Sequence, residues 1–329
     1  MSNRLLIFCW HNVEGTYGFP APPGAGTAGL IRQFELLARF TNVVSLTDAI
    51  EAWEKRRRLP LRAVVLTFDD GYRDNLEVAA PILQRCGLPA TFFLAPDLLD
   101  GIISPWWEEL AWAMHFSSRR SLRWGEFNLS LESSERARSY GVVVRGLKLL
   151  DEIERRRSVR ALVNSLEPQD PAGSHRSPIM GWDEAQALQR QGFTIGSHSL
   201  SHSILARESA CAQAEDLTRS RRALQEHLGC SADLLAYPNG DVGDFDHRTV
   251  QASVDAGYRA AVTTIQGWNR SGTPPMELRR FIMYPERGIA GFGILPLDLA
   301  RRARRRLRRR GEIVASRGDG DGELETATA

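Results

Sequence analysis

The chain has 329 residues, of which 43% are hydrophobic and 25% charged, and this ordinary globular composition excludes a disordered or fibrous protein. The net charge of +2 is uneven: nine arginines against five acidic residues from Arg301 onward give that segment +4 and leave −2 for the rest. We therefore expect no specific nucleic-acid partner for the body of the protein.

Short apolar runs alternate with segments of helical period along the chain. Such alternation is typical of a parallel sheet, and seven strands favour a distorted (β/α) barrel of the α/β class. The predicted strands are 5–9, 63–68, 90–94, 193–197, 234–237, 259–263 and 278–283, and the predicted helices are 30–40, 48–57, 75–86, 182–191, 209–228 and 248–256.

Two regions depart from this alternation. The interval between the third and fourth strands holds helical patterns at 106–116 and 144–166, so we interpret 104–178 as a mostly helical insertion on the barrel rim. It is either a packing element or a wall or lid over a substrate. The segment 297–329 is a basic, partly disordered tail, which is either a solvated appendage or a weak contact with an anionic membrane surface.

The cysteines and the N-terminus indicate the cellular compartment in which we expect the protein. None of the four cysteines lies in a C-x-x-C pair, which favours free thiols in a reducing environment. The first apolar stretch is too short for a signal peptide, and no segment reaches the roughly 18 apolar residues of a membrane span. We expect a cytoplasmic protein, either free or peripheral at the inner membrane face, with an alternative start or a cleaved leader left open.

Two adjacent carboxylates, Asp69 and Asp70, directly follow a strand pattern that reads as buried. Desolvating two charges costs several kcal/mol unless something compensates them, and a divalent cation does so. His198 and His202 stand four residues apart after another strand, on one side of a helical turn. One carboxylate and two imidazoles make an open, catalytic metal site, and the second carboxylate is left to act as a base. Zinc fits this donor set best, and cobalt, manganese or iron would also be accepted.

Other polar residues follow predicted strands in the same way. His11 follows the first strand, 237–241 follows the fifth and 267–269 comes shortly after the sixth. Because active sites of parallel barrels lie at the carboxyl ends of the strands, we expect these segments to meet the metal site.

Segments 67–71 (Thr-Phe-Asp-Asp-Gly) and 198–202 (His-Ser-Leu-Ser-His) together resemble the paired signature of the polysaccharide deacetylases, the NodB-homology, chitin-deacetylase-like carbohydrate esterases. The segments 89–94 and 236–240 resemble further motifs of that family. The resemblance covers about 3–285 and implies a catalytic domain over 1–296 that hydrolyses an N-acetyl or O-acetyl group on a carbohydrate.

The resemblance also implies roles for single residues. Asp70, His198 and His202 would hold the metal, and Asp69 would be the base that deprotonates a water. A backbone N–H near Asn239 would hold the oxyanion, with Tyr237 and Pro238 beside it in the same motif.

Two departures from the family pattern call for substitutes. The third motif has Ala236 where the family often has the arginine that orients the base, and we expect a guanidinium from Arg279 or Arg280, with Arg279 as the first choice. No histidine follows His247, so the usual proton donor to the leaving group is missing. His11 is our substitute for it.

Among the tryptophans, Trp107 and Trp268 are the best candidates for stacking on sugar rings, because both fall in predicted rim segments. We expect the substrate to be an acetylated saccharide or glycolipid in glycan or exopolysaccharide biosynthesis or modification. Two alternatives remain: a barrel amidohydrolase acting on a non-sugar C–N bond, and a non-catalytic glycan-binding domain.

Overall fold

A computed structural model describes residues 4–170 and 177–294 of the protein. Its centre is a curled sheet of short strands that are apolar on both faces, as strands are when helices cover them. The strands are β1 (Arg4–Trp10), β2 (Asn42–Val43), β3 (Ala63–Phe68), β4 (Thr91–Leu94), β5 (Ser121–Trp124), β6 (Phe127–Ser130), β7 (Thr194–Ser197), β8 (Leu234–Ala236), β9 (Ala260–Val262), β10 (Asn269–Arg270) and β11 (Phe281–Ile282).

Strands run in the order β10-β1-β3-β4-β7-β8-β9, with β2 paired to β3 and β11 paired to β1. The ladder from β1 to β9 is parallel throughout, whereas β10 is antiparallel to β1. Val262 at the end of β9 also pairs with Leu278, and β11 then pairs with Phe8 and Cys9 of β1. The segment 278–282 thus joins the two sides of the curled sheet. The prediction of a distorted, seven-stranded (β/α) barrel is confirmed.

Helices surround the sheet, and a π-helical turn, Asn75–Ala79, precedes α3. Side chains of Ser45, Asp151, Ser209 and Asp246 cap the starts of α2, α7, α9 and α10. The helices are α1 (Ala25–Phe40), α2 (Leu46–Glu54), α3 (Ala80–Cys86), α4 (Pro96–Leu99), α5 (Trp106–Phe116), α6 (Arg136–Leu147), α7 (Glu152–Leu166), α8 (Trp182–Arg190), α9 (Ala210–Leu228) and α10 (His247–Asp255), with 3₁₀ turns at Leu205–Arg207, Pro275–Glu277 and Pro285–Ile294.

The predicted rim insertion contains α5, the β5–β6 hairpin, α6 and α7. The predicted helix 144–166 is two helices, because the chain leaves helical geometry after Lys148 and Asp151 caps a new start. Residues 171–176 of the insertion and the whole predicted tail 297–329 lie outside the described residues.

An apolar cluster fills the barrel interior and draws residues from β1, β3, β4, β8, β9 and α2. On the other face of the sheet, Trp10, Phe68 and Phe92 stack in a row toward the helices. The compact unit that contains the barrel ends at Gly288. Among the helices that the structure describes, none is both long and apolar enough to cross a membrane.

Candidate active site

Asp70, His198 and His202 meet at the carboxyl ends of β3 and β7. Asp70 Oδ1 lies 3.2 Å from His198 Nε2 and 3.1 Å from His202 Nε2, and all three residues are buried. Asp70 and His202 have left-handed backbones, with φ of 70° and 55°, as does Ser199 at 61°. Residues other than glycine adopt this conformation at a cost that local structure has to offset, and such positions concentrate at functional sites.

The donor atoms of this cluster fit a divalent cation. His198 Nδ1 lies 2.8 Å from the Ala236 carbonyl oxygen, which only accepts hydrogen bonds, so the ring hydrogen is on Nδ1. In the neutral ring, Nε2 then presents a lone pair to the Asp70 carboxylate. Two acceptors at this distance require a cation or an added proton between them. Two imidazole nitrogens and a carboxylate oxygen suit zinc and related metals, and the carbonyl on Nδ1 is the usual support of a ligating histidine.

The side chains of this cluster shift one another's pKa. Burial raises the pKa of Asp70, but hydrogen bonds and charge from His198 and His202 outweigh it and hold that pKa well below its usual value. Burial lowers the pKa of His202, whereas at His198 the charges of Asp69 and Asp70 overcome burial and raise the pKa.

Asp69 is held by a buried guanidinium. Arg280 donates from two nitrogens to the two carboxylate oxygens, at 2.7 and 2.6 Å, and both side chains are almost completely buried. Arg280 also donates to the Thr67 hydroxyl and the Thr263 carbonyl, which fixes its plane. Burial pushes the pKa of Asp69 upward, yet the charges of Arg280 and His198 keep it below its usual value. The carboxylate is therefore ionised at neutral pH.

The expected choice of Arg279 is wrong in this structure. Arg279 is exposed, and its side chain lies against Gly267. Leu278 and Arg280 are both buried, and Arg279 between them is exposed, because side chains alternate along an extended segment. Arg280 is therefore the arginine that reaches Asp69.

His11 and Cys9 stand beside Asp69, with one ligand-type atom of each of the three residues within 4.8 Å of the others. This second cluster does not suit a cation. Both Asp69 oxygens already bind Arg280, and burial raises the pKa of Cys9, whose thiol contacts Asp69 Oδ2 at 3.4 Å. His11 is only half-buried, so its ring is left at the open side of the site.

The loop after β8 lies next to His198, because Ala236 at the end of β8 binds the His198 ring. Asn239 has a left-handed backbone (φ 58°), and its carboxamide nitrogen is buried without a hydrogen-bond partner in the described part of the chain. Pro238 is buried and accepts from Gly240 N at 2.7 Å. Tyr237 does not face the site: its ring stacks on Phe245 within the helix layer. The Tyr237 N–H donates to Val262 and the Gly240 N–H to Pro238, so the Asn239 N–H is the backbone donor of this loop that the described hydrogen bonds leave for a substrate.

The two predicted stacking tryptophans have different positions. The ring of Trp107 lies 4.5 Å from that of His202, at the site. Trp268 is far from it, because β10 runs antiparallel and pairs with Arg4 and Leu5 at the opposite end of β1. There Trp268 contacts the Arg4 guanidinium. The expectation that Trp268 binds sugar at this site is wrong for that reason.

A buried carboxylate ties the rim insertion to the barrel, and no motif in the sequence pointed to it. Glu108 of α5 accepts hydrogen bonds from Thr16 Oγ1, Gly18 N and Tyr72 Oη, at 2.7 to 3.0 Å. Tyr72 Oη accepts in turn from Trp107 Nε1 at 2.8 Å. The start of the insertion thus lies beside the site, and its role as a wall over a substrate stays a prediction.

Asp216 of α9 supports the histidine loop. It accepts hydrogen bonds from Leu200 N at 2.8 Å, Ser203 Oγ at 3.1 Å and Ser201 Oγ at 3.3 Å. Burial raises the pKa of this carboxyl to about 6, against a usual value of 3.8.

This raised pKa gives a pH dependence of folding stability. The folded state binds the Asp216 proton more tightly than the unfolded state, so this contribution is complete below pH 3.8 and is lost as the pH rises through about 6. We expect the free energy of unfolding of wild type to fall by up to about 3 kcal/mol relative to Asp216→Asn between pH 4 and 7. Urea unfolding of both proteins measures the difference. The exposed substitution Asp255→Asn is the control, and a pH-independent difference for Asp216→Asn would contradict the expectation.

Comparison of the sequence and the fold with known proteins shows the family to which the chain belongs. The family model described as polysaccharide deacetylase matches residues 56–111 and 155–261. The chain belongs to the polysaccharide deacetylase family. The unmatched residues 112–154 fall inside the predicted rim insertion, so the family model does not describe that part of the insertion.

A curated relative is the poly-beta-1,6-N-acetyl-D-glucosamine N-deacetylase of Escherichia coli (strain K12), 36% identical over 91 residues. The match covers 27% of this chain and only 14% of the relative.

Solved structures of deacetylases share the fold. The Streptococcus pyogenes deacetylase PplD, in complex with acetate, has a TM-score of 0.58 and 15% identity, over 88% of this chain and 96% of that one. IcaB from Ammonifex degensii has a TM-score of 0.53 and 18% identity, over 88% of this chain and 95% of that one. At these identities the likeness shows the fold of this polysaccharide deacetylase family member.

Proposed function

We propose that this protein is a metal-dependent carbohydrate deacetylase, which hydrolyses an N-acetyl or O-acetyl group of a saccharide. The observation that carries the proposal is the position of Asp69. It is an ionised carboxylate, fixed by Arg280, next to the Asp70, His198 and His202 cluster. A base of this kind beside an open cation site is the arrangement that hydrolysis of an acetyl group needs.

Asp70, His198 and His202 would hold a divalent cation, and zinc is the ion that we propose. The cation supplies a Lewis acid at the acetyl carbonyl when it is bound. The second cluster of ligand-type atoms, around Cys9, is excluded from this role by the hydrogen bonds of Asp69.

The chain's own residues carry the proton transfers. Asp69 accepts a proton from the attacking water, and Arg280 keeps its carboxylate oriented. The loop at Asn239 offers N–H donors where negative charge develops on the acetyl oxygen. His11, at the open side of the site, gives a proton to the leaving nitrogen or oxygen. The products are acetate and a free amine or hydroxyl.

Two clefts flank the site and support a saccharide as the substrate. One lies between α4, α5 and α7, and its lining includes Trp106, Trp107 and His202. The other is lined by His11, Phe19 and Tyr284, among others. Aromatic rings with polar edges form platforms for sugars. The Escherichia coli relative is named for a β-1,6-linked N-acetylglucosamine polymer, and we propose an N-acetylated saccharide of that general class here.

The first experiment measures bound metal by elemental analysis together with acetate release from a panel of acetylated saccharides. We expect about one metal ion per chain, and acetate release that a chelator abolishes and added zinc restores. His198→Ala should lose the metal and all measurable turnover, because one of three protein ligands is gone.

His247→Ala is the matched control, since that histidine is exposed at the start of α10. Bound metal without acetate release from any saccharide would favour hydrolysis of a non-sugar C–N bond. A protein that takes up no metal and releases no acetate, yet binds glycans, would be a binding domain.

A further inference from the structure

Asp74 and Asn75 contact the loop that follows β1 and carries His11. Asn75 Nδ2 donates to the His11 carbonyl oxygen at 2.7 Å. Asp74 Oδ2 accepts from the backbone N–H groups of Val13 and Glu14, at 2.8 and 2.9 Å. Three hydrogen bonds thus hold three of the four loop residues 11–14, and each involves a side chain that lies four or five positions after the metal-ligand candidate Asp70.

These bonds are made in an enclosed setting. Asn75 is completely buried, and Val13 is almost completely buried. Bonds of a carboxylate to backbone N–H groups are among the stronger ones, because the acceptor is charged. Burial raises the pKa of Asp74 to about 6, so the carboxylate is charged at pH 8.

The backbone that carries the two residues is adapted to this position. Asn75 opens the π-helical turn that precedes α3. An inserted residue of this kind rotates the following side chains relative to a regular helix, and such turns are frequent at functional sites. Within the turn, Asn75 faces the loop after β1, while Glu77 is exposed.

The far side of the loop is held separately. Glu14 accepts from Gly24 N at 3.0 Å and Thr27 N at 2.8 Å, at the start of α1. Gly26 lies so close to the Val13 carbonyl that a Cβ there would meet its oxygen at 1.7 Å. Contacts with α1 therefore hold Val13 and Glu14 from the side opposite Asp74, and Asn75 holds His11 itself through its carbonyl.

We propose that Asp74 and Asn75 are positioning residues for His11. The continuous segment 69–75 then has two functions. Its first residues supply the base and a metal ligand, and its last two residues fix the position of the proton donor, His11. This inference rests on the proposed function, in which His11 protonates the leaving group. Asp74 and Asn75 themselves touch no reacting atom.

A double-mutant cycle tests the proposal at pH 8. We expect Asp74→Ala, and separately Asn75→Ala, to lower kcat about tenfold or more, with KM and metal content close to wild type. In the His11→Gln background the same substitutions should change kcat by less than about threefold, because the group that they position is already gone. Glu77→Gln, on the exposed side of the same turn, should match wild type.

Equal losses in both backgrounds, or loss of metal from Asp74→Ala, would overturn the positioning role. A second measurement needs no substrate: modification of histidines by diethyl pyrocarbonate, read by peptide mass spectrometry. Release of the loop should raise the rate at His11 in Asp74→Ala and leave the exposed His247 unchanged. An unchanged rate at His11 would overturn the inference by itself. Failure of the wild type to release acetate from any saccharide would instead overturn the proposed function.

Discussion

Asp69→Asn should keep the bound metal and lower kcat about 10²- to 10⁴-fold, the range that a positioned general base contributes. The carboxamide has the same volume and offers one oxygen to Arg280, but it cannot accept a proton from water. Its NH2 faces the other guanidinium nitrogen, so the variant also loses stability. Asp69 is bound by Arg280, whereas Asp70 contacts both histidines. Acetate release under saturating substrate, with elemental analysis of the same sample, measures both quantities.

The matched control is Asp255→Asn, which makes the same chemical change on the exposed face of α10. Full activity of Asp69→Asn would show that another group is the base. Loss of the metal from Asp69→Asn would show that Asp69, too, is a ligand.

Arg280→Met should destabilise the fold by about 3–5 kcal/mol and abolish most activity. Removing one partner of a buried ion pair leaves the other charge uncompensated, and that is where the cost arises. Asp69 would then be buried without its cation, and its pKa would rise because the Arg280 charge that lowers it is gone. Urea unfolding gives the loss of stability, and acetate release gives the loss of activity.

The adjacent arginine provides the control for this prediction. Arg279→Met changes an exposed side chain on the other face of the same segment, so stability should change by less than about 0.5 kcal/mol. Equal losses of stability and activity in Arg279→Met and Arg280→Met would contradict the prediction that the Asp69–Arg280 ion pair causes them.

The strands and the metal-ligand candidates were predictable from sequence because each leaves a short-range signal. Apolar runs mark strands that are buried on both faces. The pair of histidines four residues apart marked the two ligand candidates, but the helical turn expected there is wrong: residues 198–202 form no helix, and Ser199 and His202 have left-handed backbones. The Asp69–Asp70 pair stood out because charge at the end of an apolar run has a cost.

The choice between Arg279 and Arg280 had a signal that was not used. Leu278 is an apolar residue in a predicted strand, and the period of two puts Arg280 on its face and Arg279 on the other. Applied to this segment, that rule selects Arg280.

Other positions depended on tertiary structure. Trp268 is separated from the site because β10 reverses direction, and no local pattern predicts which edge a two-residue strand joins. The ring of Tyr237 packs on Phe245, eight positions along the chain. Glu108 and Asp74 appear as ordinary surface acids in sequence, and only the fold brings their hydrogen-bond donors together.

The segment 278–282 has a consequence for how the site is assembled. It is the last strand of the barrel to be synthesised, and it brings Arg280 to Asp69 across 211 positions of the chain. Until that segment leaves the ribosome, the Asp69 carboxylate has no guanidinium to bind, and an apolar barrel closed around it would enclose a bare charge. The base is therefore completed only when the barrel is, so we expect a nascent or truncated chain that ends before residue 280 to lack the proposed activity.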